Sequence, residues 1–292
     1  MRALAIPPAW QDVWISPNPG ARLQATGIDA AGRKQYLYHA RYRAARERAK
    51  FERLLLFAKG LPSFRARTTR HVRLGPYEPE WACAIAIGLI NKAWFRVGSD
   101  HHARRSRTYG VTTLTRRHVT VSDDEVTFCF RAKNRKLVRR TLRSAVLARG
   151  VTDLLELKGS RLFRFDRDGE LVNLTSGLLN EYLGEHLGNG FTAKDFRTWG
   201  GTLLAAVELE RRGPPSNDGE ARRSLAAVMR KVGDELGNTP AVARESYVSP
   251  VVVEHYRVGL TLDHFRSENG ARRRHLTVDE QALVAMLRAP RT

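Results

Sequence analysis

The chain has 292 residues, which suits one large domain or two smaller ones, and its 42% hydrophobic content excludes global disorder. Lysine and arginine number 50 against 30 acidic residues, giving a formal charge of +20 and a pI near 10.8. Such an excess repels itself unless a polyanion is the usual partner, so nucleic acid is the first candidate and an anionic membrane surface the second.

No apolar run approaches the roughly 18 residues of a spanning helix, and MRALAIPPAW lacks the apolar core of a signal peptide. Two isolated cysteines, Cys83 and Cys129, point to a reducing compartment without a disulfide framework. The expectation is a soluble, cytoplasmic protein. The sequence holds no GxxxxGK[ST] loop, no GxGxxG after a strand, no HExxH and no CxxC. His101 and His102 are adjacent, which is poor geometry for two ligands on one helical face, so they read as surface residues. Neither ATP, a metal nor another cofactor is expected.

In chain order, residues 1–42 look β-rich. VWIS, RLQATG and KQYLYH are short β-branched or aromatic segments separated by NPG and AAG turns. In GRKQYLYH, Tyr36 and Tyr38 share one face of a strand while Gln35 and Leu37 take the other. With Arg33 and Lys34 beside them, these residues suit a DNA-facing surface, or equally an ordinary amphipathic strand. Residues 43–58 read as a helix that GLP at 60–62 stops. Residues 78–95 read as a buried helix leading into Arg96.

The period then changes. HVTVS and EVTFCF alternate, with Val119, Val121, Val126, Phe128 and Phe130 on one face. Asp123-Asp124 and RAKNRK are turns, giving a small antiparallel sheet with a basic tip at Lys133. Residues 163–171 look like a hairpin, and 176–187 like a helix closed by Gly188 and Gly190. Thr192 and Asp195 have the spacing of a capping box, which places Lys194 and Arg197 in the first turns of a helix running to about 211. GPPSNDGE at 213–220 is a loop, and 221–236 a helix ended by Gly237. Thr239-Pro240 opens a short helix in which Tyr247 sits late, and Ser249-Pro250 opens another.

A tyrosine in that position is ordinary packing or a nucleophile. A nucleophilic phenol needs help, because its pKa is near 10. Attack on a phosphodiester builds charge on the non-bridging oxygens, which fixed arginines can grip. The leaving oxygen needs a proton, which a lysine can supply. The chain offers Arg96, Lys133, Arg197, Asn238 and Tyr247 in that order. Arg131, Arg135 and Lys136 stand beside Lys133 as further candidates.

The words IPPAWQDVWI, QATGIDAAGRKQYLYH, FRVG, YGVTTLTRRHV, FTAKDFRTW and GNTPAVARESYVSP extend over residues from about 5 to 256. In this order they resemble the type IB DNA topoisomerases of the compact bacterial and poxvirus-like branch. The resemblance implies an α+β fold: a small N-terminal β-sheet lobe over 1–42, and over 43–292 a mainly α-helical catalytic domain with a three-stranded antiparallel sheet, the DNA breaking-rejoining enzyme fold. It implies a monomer clamping duplex DNA, nucleoid-associated, that relaxes supercoils without ATP or metal. Tyr247 would form a 3′-phosphotyrosyl bond and release a 5′-hydroxyl. Arg96 and Arg197 would hold the non-bridging oxygens, Lys133 would protonate the leaving oxygen, and Lys194 would contact a phosphate. Asn238 fills a position where poxvirus and eukaryotic members have histidine.

Two departures stand out. GSDHHARRSRT replaces an acidic stretch of the form GNEEYA, keeping Asp100 but putting His102 where tyrosine is expected. Relatives also carry a segment before RALAIPPAW, so a truncated start or a smaller N-terminal sheet is expected. A tyrosine site-specific recombinase shares the catalytic logic but has His three residues before the second arginine, where this chain has Lys194. A basic DNA-binding protein without turnover is the non-enzymatic alternative.

Overall fold

A computed structural model describes residues 4–266 and 274–290. Arg2 and Ala3 of the RALAIPPAW word lie outside the described residues. The chain divides into two compact units, residues 1–53 and 54–292. The fold is mixed α+β, as expected, with small antiparallel sheets and ten α-helices among the described residues.

In the first unit, β1 (Gln11–Ile15), β2 (Leu23–Ile28) and β3 (Lys34–Tyr38) form an antiparallel meander. Gly27 is required there, because a Cβ would lie 2.7 Å from the Trp10 ring. The β2–β3 turn is built on Asp29, whose carboxylate accepts from the Ala31 and Arg33 backbone and from the Arg33 and Gln35 side chains. The Arg33 side chain and backbone hold that carboxyl well below the usual range. Tyr36 and Tyr38 stack on one face with ring centroids 6.4 Å apart, as period-two alternation requires.

Helix α1 runs over Ala40–His71 and continues through Pro62, contrary to the expected stop at GLP. The missing N–H and ring clash cost about 3 kcal/mol. Phe57, Ala58, Leu61 and Phe64 on the flanking turns are buried, however. The large ones, Phe57, Leu61 and Phe64, each contribute roughly 1.5–3 kcal/mol, so burial outweighs the break. Ser63 Oγ also donates to the Gly60 carbonyl at 3.0 Å.

The core of the second unit forms around α2 (Pro79–Ala93), buried along almost all of its length. Next come α3 (Asp100–Ser106), with His101 and His102 exposed as expected, and the sheet β4 (Val119–Ser122), β5 (Glu125–Arg131) and β6 (Leu137–Arg143). Its inner face carries Val119, Val126, Phe128 and Phe130. Helix α4 (Ala145–Glu156), the hairpin β7 (Arg164–Arg167) and β8 (Glu170–Asn173), and α5 (Ser176–Leu187) follow.

Helix α6 (Ala193–Glu210) begins at the expected cap: Asp195 accepts from the Thr192 N–H at 2.8 Å and from its hydroxyl at 3.0 Å. Helix α7 (Asp218–Leu236) starts inside the expected loop, because the Asn217 side chain accepts from the Glu220 N–H and caps it there. Among the described residues the last α-helices are α8 (Pro240–Ser246), α9 (Pro250–Arg257) and α10 (Val278–Arg288). Among the described residues, no helix is long and apolar enough to cross a membrane.

Candidate active site

Four of the five expected catalytic side chains converge. Arg96 follows the end of α2, where Phe95 wedges edge-on between Phe128 and Phe130 at 5.4 and 5.2 Å. The word YGVTT pairs with FRVG: Val111 N–H donates to the Arg96 carbonyl at 2.9 Å and Thr112 N–H to that of Val97 at 2.8 Å. The approach leaves no room for a Cβ at Gly110. With its backbone so fixed, Arg96 donates from Nη2 to Asn238 Oδ1 at 2.7 Å and to the Gly237 carbonyl at 3.1 Å.

Asn238 is placed by the end of α7. Gly237 takes φ +62, its N–H donates to Asp234, and the Asn238 N–H donates to Gly233 at 2.7 Å. This paired closure favours glycine at the left-handed position. Arg197, on the first turns of α6, is 4% exposed. It donates to the carbonyls of Trp94 and, at 2.7 Å, Leu236. Its guanidinium lies 5.2 Å from the centre of the Tyr247 ring.

Tyr247 stands just past α8 and is 8% exposed. Thr202 Oγ1 donates to its carbonyl at 3.0 Å and accepts from the Ser249 N–H at 3.2 Å. A Cβ at Gly201 would sit 2.9 Å from that same carbonyl, and Gly200 abuts the Trp94 indole. Sequence reasoning passed over Trp94, Gly200, Gly201 and Thr202. The signal available was the Gly-Gly pair inside a helix, which costs about 1 kcal/mol per glycine against alanine and so marks a close approach.

The electrostatics ease ionisation of the phenol. Burial pushes the Tyr247 phenol up, but the Arg197 charge, helped by Lys194 and Arg96, outweighs it and holds the group below its ordinary value. Burial pushes Arg197 down to about 10, which leaves it cationic at neutral pH, and burial lowers Arg96 too.

Lys133 is not drawn into this cluster. It is exposed at the β5–β6 tip, where Asn134 and Arg135 take positive φ. Of its basic neighbours, Lys136 lines a cavity of about 140 Å³ together with Arg96 and Arg197, and pairs with Asp234 at 3.7 Å. Lys194 is exposed on the first turn of α6. In the N-terminal unit, Arg33 and Gln35 are engaged by Asp29, whereas Lys34 and Tyr36 are exposed and Tyr38 is half-buried against Tyr42. In the departing stretch, Asp100 pairs with Arg161.

The catalytic core of eukaryotic DNA topoisomerase I matches residues 39–258, and the N-terminal domain of bacterial DNA topoisomerase IB matches residues 1–29. The chain belongs to the type IB DNA topoisomerases. The DNA topoisomerase 1B of Acanthamoeba polyphaga mimivirus is 32% identical over 262 residues, covering 87% of this chain and 78% of its own. Vaccinia virus (strain Copenhagen) DNA topoisomerase 1B is 21% identical over 242 residues, 80% and 72% of the two chains. Monkeypox virus DNA topoisomerase I is also 21% identical over 242 residues. The catalytic-core match contains Arg96, Lys133, Arg197, Asn238 and Tyr247.

Proposed function

We propose that the protein relaxes supercoiled duplex DNA by nicking and resealing one strand, without ATP or metal. The observation that carries this reading is the buried Tyr247 phenol beneath the Arg197 guanidinium, with Arg96 and Asn238 bonded to each other alongside.

The Tyr247 oxygen gives up its proton and attacks a DNA phosphate. The bond from phosphorus to the 5′ oxygen breaks as the bond to tyrosine forms, leaving a 3′-phosphotyrosine and a 5′-hydroxyl. Bond energy is kept in the diester, so the free strand rotates and the 5′-hydroxyl reverses the step. Arg96 and Arg197 neutralise the charge that develops on the non-bridging oxygens. Each carries five N–H donors, and the backbone contacts described above leave further ones for a phosphate. Asn238 gives its oxygen to Arg96 and donates from Nδ2 to the Leu236 carbonyl at 3.4 Å, which leaves its other amide hydrogen for the same phosphate. Lys133 supplies the proton to the 5′ oxygen once DNA brings the β5–β6 tip to it, and Lys194 contacts a flanking phosphate.

We assign Arg33, Lys34, Gln35, Tyr36 and Tyr38 as DNA contacts of the N-terminal sheet, and the working unit is a monomer on duplex DNA. The test is relaxation of a negatively supercoiled plasmid in EDTA without ATP. Topoisomers relaxed stepwise are expected. Reaction that occurs only between two defined sites would replace this reading with a recombinase.

Binding by this +20 chain is expected to rest on phosphate contacts. Duplex affinity should therefore fall at least about 100-fold between roughly 50 and 200 mM salt. A titration that is flat over this range rules the phosphate-dominated mode out.

A further inference from the structure

Helix α10 lies beyond residue 258, where the catalytic-core match ends. Its Glu280 is 3% exposed, and four donors converge on its carboxylate. These are Trp199 Nε1 at 3.0 Å, Arg65 Nη2 at 2.7 Å, Arg65 Nη1 at 2.8 Å and the Thr277 N–H at 2.9 Å. Burial opposes ionisation of this carboxyl, but the Arg65 charge and hydrogen bonds keep it ionised. After desolvation a buried ion pair adds little net stability, so what it touches is more informative than its strength.

It touches both arginine-bearing elements. Arg65 Nη2 also donates to Asn91 Oδ1 at 3.1 Å, on the last turn of α2. That helix leads to the Trp94 carbonyl, which accepts from Arg197, and then to Arg96. Trp199 lies on α6 two residues after Arg197 and directly before Gly200 and Gly201, the residues seated on Trp94 and on the Tyr247 backbone. Both glycine contacts are too close for a side chain, so a shift of α6 there passes straight to Trp94 and Tyr247.

We propose that Glu280, acting through Trp199, is a positioning residue of the reaction, and that the C-terminal helix thereby sets Arg197 against Tyr247. The carboxylate itself reaches no reacting atom. Its effect is to hold α6 in rotation and height against α2. The proposal rests on Tyr247 as the nucleophile.

Trp199→Phe is the first variant. It removes the indole N–H and part of a buried ring's volume, keeps an aromatic ring beside Phe57 and leaves the Arg65–Glu280 pair in place. Glu280→Gln is the second: it keeps an oxygen for Trp199 but removes the charge facing Arg65. The full chain is assayed for single-turnover formation of a denaturation-resistant adduct on duplex DNA across pH, for equilibrium binding to that duplex, and for melting temperature.

Trp199→Phe is expected to cleave about 10- to 100-fold more slowly, with duplex affinity retained. Its pH midpoint should move up, because Tyr247 is faced by Arg197 and Lys194 from α6 and by Arg96 from the end of α2, and the α6 charges would be displaced. Glu280→Gln should melt lower than Trp199→Phe yet cleave faster. Cleavage that instead follows melting temperature across the variants, with an unmoved pH midpoint, overturns the proposal. So does a wild-type rate in Trp199→Phe. Absence of adduct in the wild type itself sinks the nucleophile assignment beneath it, and is read separately.

Discussion

Tyr247→Phe is expected to abolish both plasmid relaxation and the covalent adduct, a loss of at least about 10⁴-fold, as for removal of a nucleophile elsewhere. The substitution removes one oxygen and little else. The ring stays in a buried site, and the residue's backbone is held independently by Thr202 and by close contact with Gly201. Folding and duplex affinity should therefore be near wild type, which makes the assay clean. Wild type and variant are compared on supercoiled plasmid in EDTA, and the adduct is trapped with denaturant. Equal relaxation by both proteins would place the nucleophile on another residue.

The second large effect belongs to Arg197. Arg197→Ala should slow cleavage about 10²- to 10³-fold, the range for losing one fixed donor aimed at developing charge. It should also take Arg197's bond from the Trp94 carbonyl, at roughly 1–3 kcal/mol if that group stays buried, while the Leu236 carbonyl keeps Asn238 Nδ2 at 3.4 Å. A pH signature separates the two consequences. Burial raises the Tyr247 phenol and Arg197 is the chief group lowering it, so the wild-type phenolate forms at lower pH than in free tyrosine. Without Arg197 burial prevails, and the rise of cleavage rate with pH should move to higher pH. Single-turnover cleavage measured from neutral to alkaline pH decides this. A reduced rate with an unmoved midpoint would mean that Arg197 holds backbone and not phenol. Arg197→Lys should recover little, because a single ammonium cannot span Trp94, Leu236 and the phenol together.

Local chemistry made much of the fold legible. The bounds of α5, the Thr192–Asp195 cap, the Thr239-Pro240 helix start and the alternation of β4 and β5 each depend on residues within a turn or two of one another. The recurrence of family words in order also made the type IB family recognisable and named its candidate residues. The start of α7 was missed by three residues, because a single Asn217 side chain rather than the loop composition sets it.

Other features depended on contacts that no local window contains. GLP reads as a stop, but α1 passes through it because Phe57 and Phe64 are buried against Phe196 of α6, more than a hundred residues away in sequence. Arg96 meets Asn238 across 142 residues, and Trp199 meets Glu280 across 81. The sequence by itself determined the secondary structure wherever caps, turns and hydrophobic period agree, the basic character, and the family. Tertiary structure alone decided that α1 is one helix, that Arg96, Arg197, Asn238 and Tyr247 stand together while Lys133 stays out at an exposed tip, and that a C-terminal glutamate braces the helix of Arg197. The physical reason is range. Propensity and capping act over a single turn, whereas burial and buried charge pairing act between elements brought together only by folding, and there they outweigh a local preference of a few kcal/mol.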